Sequence, residues 1–300
     1  MRAQLAVGPA VFAVSAVVFA QSSIAGDPPD QLPGGRPHDI DTQHDRLSLD
    51  LSLTYASDYF FRGIVQRSEA FSLQPAAEIR FRLLDNESLS LSIVGGSWNN
   101  FSDRAAPGRT DAFAEHWYEH DAYAGVSLST GRFTLDAVYT WYFSPASDFT
   151  EVEDGTLSLS YADSDHWGKD GLFSLNPSIS FALETRNAAS GPDSGVWFGL
   201  ALEPTISLDD SFLGPVALSF PVGVGLSLDG YYQRADGSTD AFGYAEIGTK
   251  VSFQLNEKFN GAAPTLDLGA SYLRLAGVLD DLNAGVANEV VFTLGLSWSF

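Results

Sequence analysis

The sequence predicts an all-β protein, a single up-and-down antiparallel transmembrane β-barrel of about twelve strands. Apolar residues alternate with small or polar residues in twelve separate segments, which is the pattern of strands with one apolar face. Residues 3–20 form a short apolar run behind a positive charge, as in an export leader. No later stretch reaches the roughly 20 apolar residues that a membrane-spanning helix needs. Because lipid offers the backbone no hydrogen-bond partners, such a chain crosses a membrane only as a closed sheet.

The chain divides into three predicted segments. Residues 1–25 are expected to be a cleaved secretory signal peptide, because Arg2 precedes the apolar run and residues 23–25, Ser-Ile-Ala, fit the small-x-small cleavage rule. Cleavage after Ala20 is the alternative. Residues 26–45 contain four prolines and three glycines without apolar periodicity, which predicts a flexible periplasmic tail. Residues 46–300 are predicted to form the barrel.

Twelve apolar stripes mark the predicted strands. In chain order they cover residues 47–55, 79–83, 89–93, 122–128, 133–143, 157–161, 179–183, 196–202, 218–226, 247–255, 266–272 and 290–300. Residues 84–87 and 130–132 predict tight hairpins, whereas most odd-numbered connections are longer and polar. Bacterial barrels have short periplasmic turns and longer outer loops, so both ends of the chain are expected on the periplasmic side. Residues 163–171 are long for a periplasmic turn, which leaves counts of ten or fourteen strands open.

Composition excludes several classes of function. The chain carries 38 acidic and 16 basic residues, a formal net charge of −22, which argues against nucleic acid as a partner and favours attraction of cations. The absence of cysteine excludes disulfides, thiolate metal sites and a cysteine lipid anchor. Residues 116–120 match the H-x-x-E-H zinc pattern, but that chemistry requires a helix and this segment leads into a strand. The sequence therefore predicts no metal, no cofactor and no enzyme site.

The charged members of the alternating segments are predicted to face the lumen. A basic residue on the lipid face near the midplane costs about 2–4 kcal/mol, so charges are expected on the opposite face. The predicted lumen charges are Asp50, Glu78, Arg80, Arg82, Asp136, Glu203, Glu246, Lys250 and Asp267. Six acids against three bases predict a mild preference for cations.

The last strand carries a recognisable pattern of outward-facing residues. Its apolar positions are Phe292, Leu294, Leu296, Trp298 and Phe300. This arrangement, with a final Phe and an aromatic residue two places earlier, resembles the closing strand of bacterial outer-membrane barrels. The resemblance implies an outer-membrane location and recognition by the barrel-assembly machinery.

A motif follows the first strand, in residues 57–66. Its matching positions are Ser57, Asp58, Tyr59, Phe61, Arg62, Gly63 and Gln66. They resemble the S-[DN]-Y-x-F-R-G-x-x-Q signature of the TorF family of porins, although Val65 stands where Ser or Thr is usual. Glu119, Asp121, Tyr123 and Gly125 are similar to that family's acidic pair before Tyr-x-Gly. The resemblance covers the first five strands and implies an outer-membrane barrel that conducts small solutes.

Arg62 is the residue of this motif with the clearest predicted role. Its planar guanidinium can bind a carboxylate through two hydrogen bonds, so we expect it to pair with Asp58, Glu119 or Asp121 and to pin the first outer loop to the barrel. The alternative is an arginine at the pore mouth that faces acids across the lumen and orients solutes.

Two functions remain after these exclusions. The first is a porin-like channel for passive diffusion of small hydrophilic solutes or ions, with outer-membrane lipid and the assembly machinery as its partners. The alternative is a closed structural or surface-interaction barrel, because twelve strands make a narrow interior that the nine charges can fill with salt bridges. A barrel-embedded hydrolase is a third class, which the sequence disfavours because all five histidines lie outside the lipid-facing alternation. The sequence leaves the oligomeric state open.

Overall fold

The computed structural model describes residues 46–300 except for 69–70, 87, 103–114, 168–172, 192, 209–214, 235, 256–262 and 281. Within these ranges the chain is built from β-strands and two short 3-10 turns, Ser164–His166 and Gly277–Leu279. No helix of this part is long and apolar enough to cross a membrane. The predicted signal peptide, 1–25, and the predicted tail, 26–45, lie outside the described residues.

Twelve strands form the barrel, as the alternation predicts. In chain order they are Leu47–Ala56, Ser72–Asn86, Leu89–Ser102, Trp117–Thr130, Phe133–Phe143, Val152–Tyr161, Phe173–Ser174 with Ser178–Arg186, Val196–Leu202 with Thr205–Leu208, Val216–Ser219 with Val222–Asp229, Phe242–Gln254, Thr265–Leu275 and Asn288–Ser299. Each pairs antiparallel with its neighbours in sequence. The first and twelfth strands also pair, with Leu53 opposite Leu296. This pairing closes the sheet, so the prediction of a twelve-stranded up-and-down barrel is confirmed and the counts of ten and fourteen are wrong.

Three neighbouring strands are interrupted by proline. Pro177, Pro204 and Pro221 stand at the breaks of the seventh, eighth and ninth strands. Proline has no N–H to donate to a ladder, but its carbonyl still accepts a hydrogen bond from the adjacent strand. Pro177 accepts from Tyr161 at 3.1 Å, Pro204 from Phe220 at 2.8 Å and Pro221 from Gly248 at 2.7 Å. The barrel therefore stays closed across all three breaks.

The outer face of the barrel is apolar and exposed. Ile79, Leu183 and Phe292 are 52%, 53% and 58% exposed, and residues two places before or after them along their strands face the same way. A contiguous apolar belt of this kind marks a surface that contacts lipid. The alternate residues face the lumen.

The two ends of the barrel differ in how they are filled. We call the end that carries residues 57–68, 144–151, 187–191, 193–195, 230–234, 236–241, 276–280 and 282–287 the loop end, and the opposite end the turn end. The buried core lies in the lumen at the loop end, where large aromatic side chains pack together. Its most buried members include Tyr59, Phe61, Tyr118, Trp197, Tyr231 and Tyr232. The core of this protein is thus the contents of one half of its barrel.

Candidate functional site

A hairpin formed by Tyr59–Phe61 and Ile64–Arg67 lies in the lumen, and we call it the plug hairpin. Its two-residue turn consists of Arg62 and Gly63, with φ angles of 45° and 81°, as in a type I′ turn. Glycine is required at the second position, because a Cβ atom there would lie 2.9 Å from the Tyr244 side chain. A positive φ is uncommon for an arginine, so contacts of its side chain must hold this conformation.

The plug hairpin contacts walls on opposite sides of the barrel. The ring of Tyr59 packs on Trp98 of the third strand with centroids 5.3 Å apart, and Phe61 packs on Tyr142 of the fifth at 6.2 Å. Gly63 lies against the tenth strand. A nine-residue hairpin that touches the third, fifth and tenth strands of a closed ring of twelve must lie across its interior. The plug hairpin therefore obstructs the lumen near the loop end.

Arg62 is the anchor at the tip of the plug hairpin. Its Nη2 atom donates to Oδ2 of Asp154 at 2.7 Å and its Nη1 atom to the Tyr231 hydroxyl at 3.2 Å. The guanidinium also lies 4.8 Å from the Trp197 ring centroid, a distance that allows a cation–π interaction. Burial alone lowers the pKa of Arg62, but Tyr231 and Asp154 raise it above its ordinary value. The buried arginine is therefore charged and paired.

The acid that binds Arg62 is not among the predicted partners. Arg62 was predicted to pair with Asp58, Glu119 or Asp121, but its ion pair is with Asp154 of the sixth strand, and neither Glu119 nor Asp121 bonds to it. The hairpin carries its tip across the lumen, away from the fourth strand that holds those two acids. Asp58 is half-buried at the base of the hairpin. Sequence reasoning missed Asp154 because the predicted sixth strand began only at residue 157, five residues after the strand starts.

Further polar contacts hold the two arms of the plug hairpin. The Asn283 side chain donates to the Gly63 carbonyl at 2.8 Å and accepts from the Val65 N–H at 2.8 Å. Gln66 accepts from the Tyr118 hydroxyl at 2.7 Å, and Arg67 forms an ion pair with Asp148. The hairpin is thus fixed by at least three loops and strands, none of which lies near it in sequence.

A bulge in the fourth strand turns Tyr118 inward. Asn100 of the third strand pairs with Glu119, but the next residue, Phe101, pairs with Trp117 and leaves Tyr118 without a partner in the ladder. Bulges of this kind re-aim side chains, and both Tyr118 and Glu119 are buried in the lumen. Under simple alternation, two successive residues face opposite sides, and one of them would face lipid. The sequence therefore did not predict that Tyr118 and Glu119 both face the lumen.

Glu119 and Asp121 are both fully buried at the loop end, each 0% exposed. The Tyr59 hydroxyl of the plug hairpin donates to Oε2 of Glu119 at 3.2 Å. Burial and the Glu119 carboxylate raise the pKa of Tyr59 well above its ordinary value, so the hydroxyl keeps the proton that it donates. Of the remaining motif residues, Ser57 extends the first ladder through its N–H, which donates to the Phe292 carbonyl at 2.9 Å.

The turn half of the lumen is lined by the predicted charges and by serines. Glu78 binds Arg80 at 3.0 Å and Glu203 binds Lys250 at 2.7 Å. Arg82 lies at the rim, where it is exposed and pairs with Asp85 at 2.9 Å. Serine hydroxyls face the other acids: Ser299 donates to Asp50, Ser252 donates to Asp267, and Asp136 pairs in register with Ser127 and Ser158. Glu246 lies opposite Gly223 in the ladder. Taken together, these residues make the turn half of the lumen polar.

Two other sequence features have definite positions. In the H-x-x-E-H segment, His120 packs on Phe143 with ring centroids 4.6 Å apart, whereas Glu119 faces the lumen. In the part of the chain that the structure describes, no three His, Cys, Asp or Glu side chains converge on a common point. In the last strand Phe292, Leu294 and Phe300 are exposed on the outer face. Leu296 and Trp298 are half-buried there.

Comparison with known proteins gives matches of fold. No family model matches the sequence, and no curated protein matches it. An outer-membrane channel from Pseudomonas putida F1 superposes with a TM-score of 0.50 at 12% identity, over 91% of this chain and 99% of that chain. The NanC porin gives 0.41 at 13% identity over 84% and 98%, and the β domain of the Bordetella autotransporter BrkA gives 0.39 at 13% over 85% and 99%. The chain therefore has the fold of outer-membrane β-barrel proteins.

Proposed function

We propose that this protein is an exported outer-membrane porin-like channel for small hydrophilic solutes or ions, and that the plug hairpin closes its lumen in the conformation described here. The observation that carries the proposal is the contrast between the two halves of one lumen. The turn half is lined with charges and hydroxyls, whereas the loop half is obstructed by a hairpin anchored through Arg62 and Asp154. A barrel that serves only as a scaffold does not need a polar turn half beside the plug hairpin.

The charges of the turn half support a preference for cations. Of the nine predicted lumen charges six are acids, and only Glu78 and Glu203 among them form ion pairs with the bases Arg80 and Lys250. The third base, Arg82, pairs with Asp85 at the rim. The remaining acids accept hydrogen bonds from hydroxyls or face small residues, and a lumen with uncompensated negative charge attracts cations. We also propose that the outward residues of the last strand are recognised by the barrel-assembly machinery, and that the motif of residues 57–66 places the chain near the TorF porins.

The plug hairpin is attached in a way that permits displacement. Ala56 and Ser72, the last and first residues of the strands on either side of it, are directly opposite each other in the ladder. The first two strands are therefore paired without any residue of the plug hairpin. The hairpin is held mainly by side-chain contacts and lies outside the barrel ladder. Solutes therefore pass only when it moves.

A closed structural barrel is the second candidate, and the deep burial of the plug hairpin favours it. Ile64 is fully buried and Arg62 is 4% exposed, as expected for a permanent core. The two functions differ in one measurable property, the conductance of the folded protein.

The test is single-channel recording in planar bilayers with the wild-type mature chain and with a variant in which residues 59–67 are replaced by two glycines. The register of Ala56 and Ser72 allows this shorter connection. We expect a predominantly closed wild type and a variant with stable open steps that select cations under a salt gradient. If both proteins fold and neither conducts, the channel function is wrong and the structural barrel stands. Equal open conductance in both would show that the hairpin does not close the lumen.

A further inference from the structure

Four buried oxygen atoms beside the plug hairpin have no hydrogen-bond donor in the described part of the chain. They are Oδ1 of Asn100, Oε1 of Glu119 and both carboxylate oxygens of Asp121. All three residues are 0% exposed. Buried polar atoms nearly always have a hydrogen-bond partner. A cluster of four acceptors without donors therefore indicates a bound ligand that accepts electron pairs, such as a cation.

The four oxygens lie on one patch of the inner wall. Asn100 of the third strand is directly opposite Glu119 of the fourth in the ladder, which places their Cβ atoms about 5 Å apart. Glu119 and Asp121 are two residues apart and therefore share a face, and their carboxyl groups lie within hydrogen-bonding reach of each other. The Nδ2 atom of Asn100 donates to the Ser72 hydroxyl at 2.7 Å, which fixes the amide and its free carbonyl oxygen.

The two carboxylates have no ion-pair partner among the described bases. The nearby arginines are already engaged, Arg62 with Asp154 and Arg67 with Asp148. Burying a carboxylate without a compensating charge is strongly unfavourable. The site must therefore take up either protons or a cation to balance the two buried carboxylates.

A proton shared between the two carboxylates leaves part of the site without a partner. One proton between Glu119 and Asp121 would satisfy two oxygens and leave the other two of the four acceptors without a donor. A divalent cation balances both negative charges and can bind all four oxygens at once. Ca²⁺ in particular is bound in proteins by carboxylates and by asparagine carbonyl oxygens, with water completing its shell.

We propose that Asn100, Glu119 and Asp121 form a binding site for a hard divalent cation of the Ca²⁺ type in the lumen wall. The Tyr59 hydroxyl of the plug hairpin donates to the other oxygen of Glu119, so a bound cation fixes the carboxylate that holds the base of the hairpin. Cation binding therefore stabilises the plugged conformation. This effect on conduction rests on the proposed function, whereas the binding itself does not.

The test uses the folded mature chain in detergent after removal of divalent ions with EDTA. Titration calorimetry with CaCl₂ is expected to show about one saturable site per chain. Asp121→Asn and Glu119→Gln keep the size of the side chain and are expected to weaken binding at least about tenfold, because affinity follows the number of charged ligands. Asp136→Asn removes an equal charge elsewhere in the lumen and should bind like the wild type.

A terbium assay locates the site independently of the variants. Trp98 lies opposite Asp121 in the ladder and packs on Tyr59, so Tb³⁺ bound at this site should show luminescence excited through these rings and quenched by added Ca²⁺. Weak binding without this luminescence, or binding that survives Asp121→Asn, would mean adventitious cations on an acidic surface and would overturn the proposal. Absence of saturable binding to the wild type would do the same. A protein that binds Ca²⁺ but never conducts would refute only the channel function.

Discussion

At the scale of single residues, the ion pair between Arg62 and Asp154 is the most deeply buried ion pair among the described residues. Both side chains are almost completely buried, at 1% and 2% exposure. A buried pair adds little net stability compared with apolar packing, but removing one partner leaves a charge that nothing compensates. The pair is thus better suited to fixing one position of the plug hairpin than to stabilising the barrel.

Arg62→Ala is expected to favour the unplugged state by about 3–5 kcal/mol, because Asp154 keeps a buried charge. At about 1.4 kcal/mol for each factor of ten, the open fraction in planar bilayers should rise more than a hundredfold or saturate. The double variant Arg62→Ala with Asp154→Asn should recover part of the closed state, since no charge is then left alone. Arg82→Ala breaks an exposed pair and should leave gating unchanged. Wild-type gating in Arg62→Ala would refute this role of the ion pair.

Asp163 shows how one side chain organises the turn between the sixth and seventh strands. Its carboxylate accepts from the N–H groups of Leu175 and Asn176 at 2.8 and 2.9 Å and from the Trp167 indole at 2.7 Å. Burial by itself raises the pKa of Asp163, but the hydrogen bonds from Asn176, Trp167 and Leu175 outweigh it and lower the pKa below its ordinary value. These bonds tie Asp163 and Trp167, at the start of the connection, to Leu175 and Asn176, beyond its other end.

The lowered pKa predicts the direction of a pH effect. A carboxylate with a depressed pKa in the folded state contributes its full stability above the unfolded pKa of about 3.9, and loses it as pH falls through the folded value. Asp163→Asn cannot accept the Trp167 bond at its amide nitrogen, so it should lower the unfolding free energy at pH 7 by about 1–3 kcal/mol. Urea unfolding at pH 7 and pH 3 should show the gap between wild type and variant narrowing in acid. A constant gap would contradict this account.

At the scale of elements, the plug hairpin depends on its type I′ turn. Gly63→Ala introduces a Cβ atom 2.9 Å from Tyr244 at a φ of 81°, which combines a steric clash with a backbone conformation that costs about 1–3 kcal/mol for other residues. Gly131→Ala is the matched control, because Gly131 has a φ of 56° and no atom within 4 Å of such a Cβ.

We expect Gly63→Ala to loosen the plug hairpin while the barrel stays closed. Limited proteolysis of the folded protein should therefore cleave within residues 57–71 faster in Gly63→Ala than in Gly131→Ala or the wild type. Resistance equal to that of the control would show that the tenth strand can move away from the turn without cost.

The elements also show what a sequence can predict. All twelve strands were predicted, because one face of each meets lipid and the alternation of apolar residues is therefore strict along each strand. The plug hairpin was predicted only as a loop with a motif. Its position depends on contacts of the turn with Asp154, Tyr231 and Asn283, whose partners are 92 to 220 residues apart in sequence. No periodic pattern in the sequence predicts such contacts. The inward position of Tyr118 could not be predicted for a local reason, since a bulge breaks the alternation.

At the scale of the whole molecule, net charge and lumen charge have the same sign. The chain carries a net charge of −22, and in the turn half Asp50, Asp136 and Asp267 face serines and not bases. Charges that line a low-dielectric lumen act on a permeating ion more strongly than charges on the outer surface, which salt screens over about 10 Å at 0.1 M. Selectivity should therefore follow the lumen and not the total charge.

This distinction can be measured with two triple variants of equal net charge, built in the variant without the plug hairpin. One replaces Asp50, Asp136 and Asp267 with Asn, and the other replaces the exposed loop-end residues Asp193, Asp236 and Asp240. Reversal potentials at about 0.1 M salt should show that the first loses most of the proposed cation preference and the second keeps it. An equal loss in both would mean that the outer field sets the selectivity, because only then would three distant charges act like three charges in the lumen.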